Sequence, residues 1–383
     1  MPQIENMKLY IIAGEASGDL HASNLIKSLK KENQEIEFRC WGGDKMKDEG
    51  VFIVKHIKEL AFMGFIEVIS NIRTILKNIR FCKEDIEEFK PDALILVDYP
   101  GFNLRIAEWA KNKGIKVIYY ISPQVWAWKQ SRVHKIKRFV DKMFVILPFE
   151  KEFYERFDFP VEYVGHPLLD AIELYQQSAC SSDEFRQTNS IDSRPIIAVL
   201  PGSRKQEVSV KLPIMLKALS DFPAYQFIIA GAPSLDATFY TEIIGNLEAN
   251  QNVRILYNQT YDLLSASEAA IVTSGTATLE TALLEIPEVV CYKGSAISYH
   301  IAKRLIKIQY ISLVNLIMSK EVVKELIQQD CNPDAIRREL QQIIIGGKKR
   351  TSILENYKEL KKIVGGGGAS EKVAQSLLKT IRS

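Results

Sequence analysis

Two short stretches of the 383-residue sequence carry the residue types that hold a diphosphate. In AVLPGSRKQE, Gly202 lets backbone approach a ligand, Ser203 offers a hydroxyl, and Arg204 offers a bidentate cationic fork. In IVTSGTATLE, Ser274, Gly275 and Thr276 open a helix-period run, with Glu280 one turn further on. Thr276 and Glu280 are four residues apart and therefore project on one helix face. A diphosphate at such a helix mouth meets free N–H groups and the positive dipole end, leaving its ribose within reach of the carboxylate. Either stretch alone is equally a plain turn with a solvated arginine or glutamate. Two of them in one half of the chain favour a nucleoside-diphosphate-sugar site.

Acid–base chemistry has its candidate in ALILVDYPGFN, where Asp98 ends an apolar strand and Asn103 follows. A carboxylate at the carboxyl end of a buried strand is placed for general-base work, although Asp-x-Pro-Gly is also good turn chemistry. GEASGD (14–19) follows the apolar run KLYIIA and brings Glu15, Ser17 and Asp19 to another such turn. It is not a nucleophile elbow, because its serine directly precedes the second glycine. No G-x-G-x-x-G or Walker lysine loop occurs, which disfavours a dehydrogenase or P-loop ATPase. The histidines (His21, His56, His134, His166, His300) and cysteines (Cys40, Cys82, Cys180, Cys291, Cys331) show no metal spacing. Neither a metal site nor a cofactor is expected. His166 in VGHPL reads as a contact at a domain junction. Trp126 and Trp128 read as a sugar or acyl platform, or equally as buried aromatics.

Short β-rich runs alternate with helix-period segments along the whole chain, the pattern of parallel α/β sheets. The expected fold class is α/β, with two Rossmann-like doubly wound domains facing a cleft and a helical C-terminal region. Residues 1–170 form the first domain and residues 171–369 the second, separated by a polar, strandless stretch at 171–194. After about residue 296 strands are expected to give way to helices. GGGG at 365–368 precedes a last helix, in residues 370–383, expected to pack back on the first domain. A net charge of +3 argues against a dedicated nucleic-acid partner. Scattered cysteines, no secretory leader and no apolar run of about 18–20 residues point to a cytoplasmic protein. One segment, residues 62–86, reads as a basic amphipathic helix. Arg73, Lys77 and Arg80 lie on one face, with Ile72, Ile75, Leu76 and Ile79 on the other, a pattern that suits a membrane surface or an ordinary core-facing helix.

The blocks GEASGD, MGFIEV, DYPGFN, VWAWK, PFE, YVGHPL, LPGSRKQE, SGTATLE and IPEVVCYK, in this order over nearly the full length, resemble the lipid-A-disaccharide synthase family. These are inverting glycosyltransferases of the two-domain GT-B type. The resemblance implies transfer of 2,3-diacylglucosamine from its UDP conjugate to 2,3-diacylglucosamine 1-phosphate. The products are a β-1,6-linked disaccharide 1-phosphate and UDP, in lipid A biosynthesis of a Gram-negative bacterium. UDP would sit on Gly202, Ser203, Arg204, Ser274, Gly275, Thr276 and Glu280, without metal. Ser17, Asp19, Asn103 and Asn315 would serve the acceptor, and Asp98 would be the base with Glu15 as its rival. The family's Ser-Leu-Pro-Asn reads SLVN here (312–315), which weakens the case for Asn315. Acylated substrates imply peripheral contact with the inner face of the inner membrane through residues 62–86, and a homo-oligomer stays open. Another GT-B enzyme, such as a UDP-N-acetylglucosamine epimerase or a transferase with a different acceptor, would share the second-domain motifs. It would not need the basic helix. A UDP-sugar-binding module would not need Asp98.

Overall fold

The computed structural model describes residues 7–60, 72–128, 130–245, 253–294 and 309–382. The chain divides into two compact units, one of residues 1–170 with 367–383, the other of residues 171–366. Each is built on a wholly parallel sheet.

In the first unit the strands are β1 (Lys8–Ala13), β2 (Glu37–Gly42), β3 (Phe52–His56), β4 (Ala93–Val97), β5 (Lys116–Tyr120), β6 (Lys142–Val145) and β7 (Glu162–Tyr163). Their spatial order is β3-β2-β1-β4-β5-β6-β7. Helices cover both faces of such a sheet, so its central strands read as continuous apolar runs. KLYIIA and ALILV are examples, and every residue from Leu9 to Ala13 and from Ala93 to Val97 is fully buried. The order reverses between β1 and β4, whose register pairs Ala13 with Val97. Gly14 and Asp98 therefore leave neighbouring strands side by side at the topological switch point, where open α/β sheets bind ligands.

The second unit repeats the plan with β8 (Ile196–Leu200), β9 (Gln226–Gly231), β10 (Val253–Tyr257), β11 (Ala269–Thr273), β12 (Glu288–Tyr292) and β13 (Lys324–Ile327), in the order β10-β9-β8-β11-β12-β13. Its switch point lies between β8 and β11, and these are the strands that deliver Gly202 and Ser274. The expectation that strands end near residue 296 is corrected by β13. This edge strand, KELI, is short and charged and, among the described residues, pairs with β12 alone.

The last helix, Ala369–Arg382, belongs to the first unit, where it packs along the helix Ala16–Glu32. Val373, Ala374, Leu377 and Leu378 are buried, and Lys31–Glu371 and Gln375–Glu32 flank them. The Asp170 carboxylate accepts the N–H groups of Gly368, Ala369 and Ser370 and so caps this helix where the chain re-enters the unit. From residue 72 the segment read as amphipathic is a helix, Ile72–Phe89, while residues 62–71 lie outside the described residues. Arg73, Lys77 and Arg80 are exposed and Ile79 is buried, but Leu76 and Phe81 remain 54% and 42% exposed. Among the described residues no helix is long and apolar enough to cross a membrane.

Glu288, at the start of β12, is fully buried, and among the described residues neither carboxylate oxygen finds a hydrogen bond. Burial, reinforced by the charge of Glu325, pushes its carboxyl well above the usual range. The unfolded chain loses this proton near the ordinary glutamate value while the folded chain keeps it. Stability is therefore lost as pH rises from that value toward the raised native one. Glu288→Met should raise the melting temperature, by the equivalent of about 1–3 kcal/mol at pH 8, with the gain shrinking toward pH 4. A thermal scan showing a gain independent of pH, or none, contradicts this account.

Candidate active site

At the first switch point the two turns interlock. A Cβ on Gly14 would lie 2.3 Å from the Tyr99 ring, so only glycine lets that ring close against the turn after β1. Asp98 and Tyr99 both adopt left-handed backbone, with φ of 45° and 48°. Such a conformation is costly for residues with a Cβ and is found where a structure over-determines it. The over-determination is visible. The Asn103 side chain donates to the carbonyl oxygens of Asp98 (2.8 Å) and Val97 (3.3 Å), and the Tyr119 hydroxyl also donates to that of Asp98. The Asp98 N–H reaches back to the Tyr120 carbonyl at 3.2 Å.

Asp98 is left half-buried at the mouth of the turn, near Glu15 at the N-terminus of the helix Ala16–Glu32. Burial first, and the Glu15 charge second, push the Asp98 carboxyl up to about 7, against the opposing pull of the Tyr99 N–H. A carboxylate that titrates near neutrality is matched to general-base work. Glu15 is half-exposed and Ser17 exposed, so both can meet a ligand.

Other side chains proposed from the sequence make hydrogen bonds within their own unit. Asp19 is buried, and its carboxylate accepts the N–H groups of Gly43, Lys45 and Met46, capping the short helix Asp44–Asp48. Asn103 is fully buried, and its amide nitrogen donates to the Asp98 and Val97 carbonyls. Asn315 is fully buried in the second unit. Its amide oxygen accepts from Val322 and Val323, and its nitrogen donates to Val323 and Glu325. Trp126 is buried, with its indole N–H on Glu150 at 3.2 Å and its ring edge-on to Phe149, so the buried-aromatic reading holds. The Trp128 side chain lies outside the described residues. His166 is buried and caps a helix by accepting the Leu168 N–H, and burial holds it down at about 3. Burial holds neighbouring His21 at about 4, so both imidazoles stay neutral.

At the second switch point a cavity of about 290 Å³ opens between the turns after β8 and β11, with Gly202, Ser203, Ser274, Gly275, Thr276 and Glu280 in its lining. Gly202 has φ of 116°, and a Cβ there would stand 2.6 Å from the Glu207 carboxylate. Two helices begin at this cavity, Lys205–Lys217 after Arg204 and Thr276–Leu283 after Gly275. Their first N–H groups and dipoles supply partial positive charge. Ser274 is fixed by its N–H to the Cys291 carbonyl and its hydroxyl to the Ile311 carbonyl, both at 3.1 Å. Arg204 is exposed, and its guanidinium stands 3.6 Å from Glu207. The Tyr261 hydroxyl donates to one Glu280 oxygen at 2.9 Å, and burial raises the Glu280 carboxyl against that bond. Tyr261 and Glu207 are the residues that sequence reasoning missed. Glu207 lies in the quoted motif, whereas nothing in the spacing of Tyr261 in NQTYDLL points to Glu280.

Two wholly parallel, doubly wound sheets, one in each unit, define the GT-B fold class. The fold agrees with solved structures. A UDP-GlcNAc 2-epimerase from Neisseria meningitidis bound to UDP-GlcNAc superposes with a TM-score of 0.68 at 16% identity, covering 97% of this chain and 100% of that one. The calicheamicin glycosyltransferase CalG4 gives a TM-score of 0.63 at 14% identity, covering 99% of each chain. At these identities the likeness concerns the fold alone.

Sequence comparison resolves the family. The family model described as lipid-A-disaccharide synthetase matches residues 9–378. A lipid-A-disaccharide synthase of Syntrophus aciditrophicus is 42% identical, covering 98% of this chain and 99% of its own. The Coxiella burnetii lipid-A-disaccharide synthase is 35% identical over 97% and 98%. The chain belongs to the lipid-A-disaccharide synthase family.

Proposed function

We propose that the chain transfers a 2,3-diacylglucosaminyl group from its UDP conjugate to the 6-hydroxyl of 2,3-diacylglucosamine 1-phosphate, with inversion at the anomeric carbon. The observation that carries this reading is the division of labour between two switch points. One holds a carboxylate poised near neutrality, and the other holds a cavity at two helix N-termini. Asp98 takes the acceptor proton as the new bond forms through an oxocarbenium-like transition state. Arg204 and the helix mouths meet the charge that grows on departing UDP. Glu280, oriented by Tyr261, accepts from ribose hydroxyls. Glu15 and Ser17 orient the acceptor.

If Asp98 is the base, Asp98→Asn keeps its shape but cannot take a proton. Turnover with both acylated substrates should fall about 10²–10⁴-fold. In the wild type, kcat/KM should rise with pH through about 7, because only the ionised carboxylate is active. Glu15→Gln removes a like charge and should move that limb to lower pH. A dead Glu15→Gln beside an Asp98→Asn within about tenfold of wild type would transfer the role to Glu15.

For the donor side, Arg204→Ala and Glu280→Ala should each weaken UDP binding by about 1.5–3 kcal/mol by calorimetry. Titrations that match wild type would remove both residues from the donor site.

We further propose that the helix Ile72–Phe89 rests on anionic lipid. Exposed Arg73, Lys77 and Arg80 share it with exposed Leu76 and Phe81, beside a groove of about 560 Å³ that Leu76, Ile79 and Trp109 help to line. Replacing the three cations with glutamine should release the protein from acidic vesicles, at about 1 kcal/mol per charge. Unchanged sedimentation with the vesicles would assign the exposed face another role.

A further inference from the structure

Glu207 poses a problem for a cavity that takes an anion. Its carboxylate lines the same cavity as Gly202 and Ser203, packed so closely on the Gly202 backbone that no side chain fits between them. A diphosphate entering there meets a fixed negative charge. Glu207 is held from two directions along the first turns of the helix Lys205–Lys217. One oxygen stands 3.6 Å from the Arg204 guanidinium, and the other 3.8 Å from the Lys211 ammonium.

The two cations differ in one respect. The Arg204 side chain is 57% exposed, whereas that of Lys211 is 3% exposed. Arg204 can swing away, while Lys211 has no route to solvent. Both separations exceed hydrogen-bond length, so Arg204 is attracted to Glu207 without being locked to it. Burial pulls the Lys211 ammonium below its ordinary value, and the nearby Glu207 charge opposes that pull. A buried ammonium is tolerated only where it is paired.

We propose that Lys211 is a positioning residue: it keeps Glu207 neutralised when Arg204 leaves that carboxylate for the diphosphate of the donor. Without Lys211, Glu207 retains Arg204 and repels the ligand at the same time. With it, Arg204 exchanges one anionic partner for another, and no bare charge is left in the cavity wall. Lys211 does not touch the ligand. The proposal rests on the reading of this cavity as a nucleoside-diphosphate site.

The test is calorimetric titration of UDP into four proteins: wild type, Glu207→Gln, Lys211→Met and the double variant. Lys211→Met should lose about tenfold or more in affinity. The double variant should bind within about threefold of Glu207→Gln, because with no charge at 207 there is nothing for Lys211 to neutralise. That rescue separates positioning from a structural role. Glu207→Gln leaves the buried Lys211 amine without its carboxylate, so a thermal scan of each variant accompanies its titration. Where Lys211→Met alone fails to fold, Lys211→Gln, uncharged but able to hydrogen-bond Glu207, takes its place with the same expected loss. A Lys211→Met protein that titrates like wild type overturns the proposal. So does a double variant about tenfold weaker than Glu207→Gln, which would mean that Lys211 acts on the ligand charge directly. Wild-type protein that does not bind UDP overturns the reading of the cavity, and this proposal with it.

Discussion

The carbonyl oxygen of Asp98 receives the amide of Asn103 and the hydroxyl of Tyr119, and these bonds hold a backbone that would otherwise relax. Two successive left-handed residues with side chains cost about 1–2 kcal/mol each. A buried hydrogen bond returns about 1 kcal/mol, so two bonds to one carbonyl are of the size required. The Tyr99 ring seated on Gly14 adds a steric lock from the adjacent strand. If the chain continued from β4 in ordinary extended geometry, Asp98 would follow the alternation of the strand. It would not stand at the mouth of the turn beside Glu15. The position of the charge, and through it the electrostatics of the first switch point, depends on this reversal.

Four buried or half-buried carboxylates show how strongly local donors decide what a carboxyl group does. Asp19 has three backbone N–H groups and is a structural cap. Glu325 accepts from Ile311, from Ser312 through both N–H and hydroxyl, and from Asn315, and thereby anchors the start of the helix Leu313–Met318. Asp98 has a single N–H to offset its burial and is pushed up to about 7. Glu288 has no donor among the described residues, and burial pushes it well above the usual range. Asp19 and Glu325 are scaffold for this reason, since an acid whose lone pairs are engaged has few left for a substrate proton.

The sheets were legible in the sequence where burial on both faces left uninterrupted apolar runs, as in KLYIIA, ALILV and AAIVT. The edge strands β3 and β13 were not, because FIVKH and KELI are short and carry charge, which suits an exposed edge and also suits a loop. The glycine turns were legible because few other residues allow backbone to approach a ligand. The backbone partners of Asp19, Asn103 and Asn315 were not legible, for one shared reason. A short polar side chain beside a turn bonds to backbone as readily as to a ligand, and the choice depends on donors brought from distant strands. Gly43 caps against Asp19 across 24 residues, and Tyr261 reaches Glu280 across 19. Spacing within a motif carries no record of such partners.

The place of the helix Ala369–Arg382 bears on how the chain is made. Its apolar face completes the packing around Ala16–Glu32, yet every residue of the second unit is synthesised between those two elements. The unit whose strands leave the ribosome first is therefore the last to close. Until residue 382 emerges, the nascent first unit exposes the apolar strip that Val373, Ala374, Leu377 and Leu378 will cover. The packing of the first unit is therefore completed only after the second has been synthesised, out of the domain-by-domain order in which chains ordinarily mature. A prematurely terminated product would carry a finished second unit attached to an unfinished first, and holdase chaperones bind exposed apolar surface of that kind.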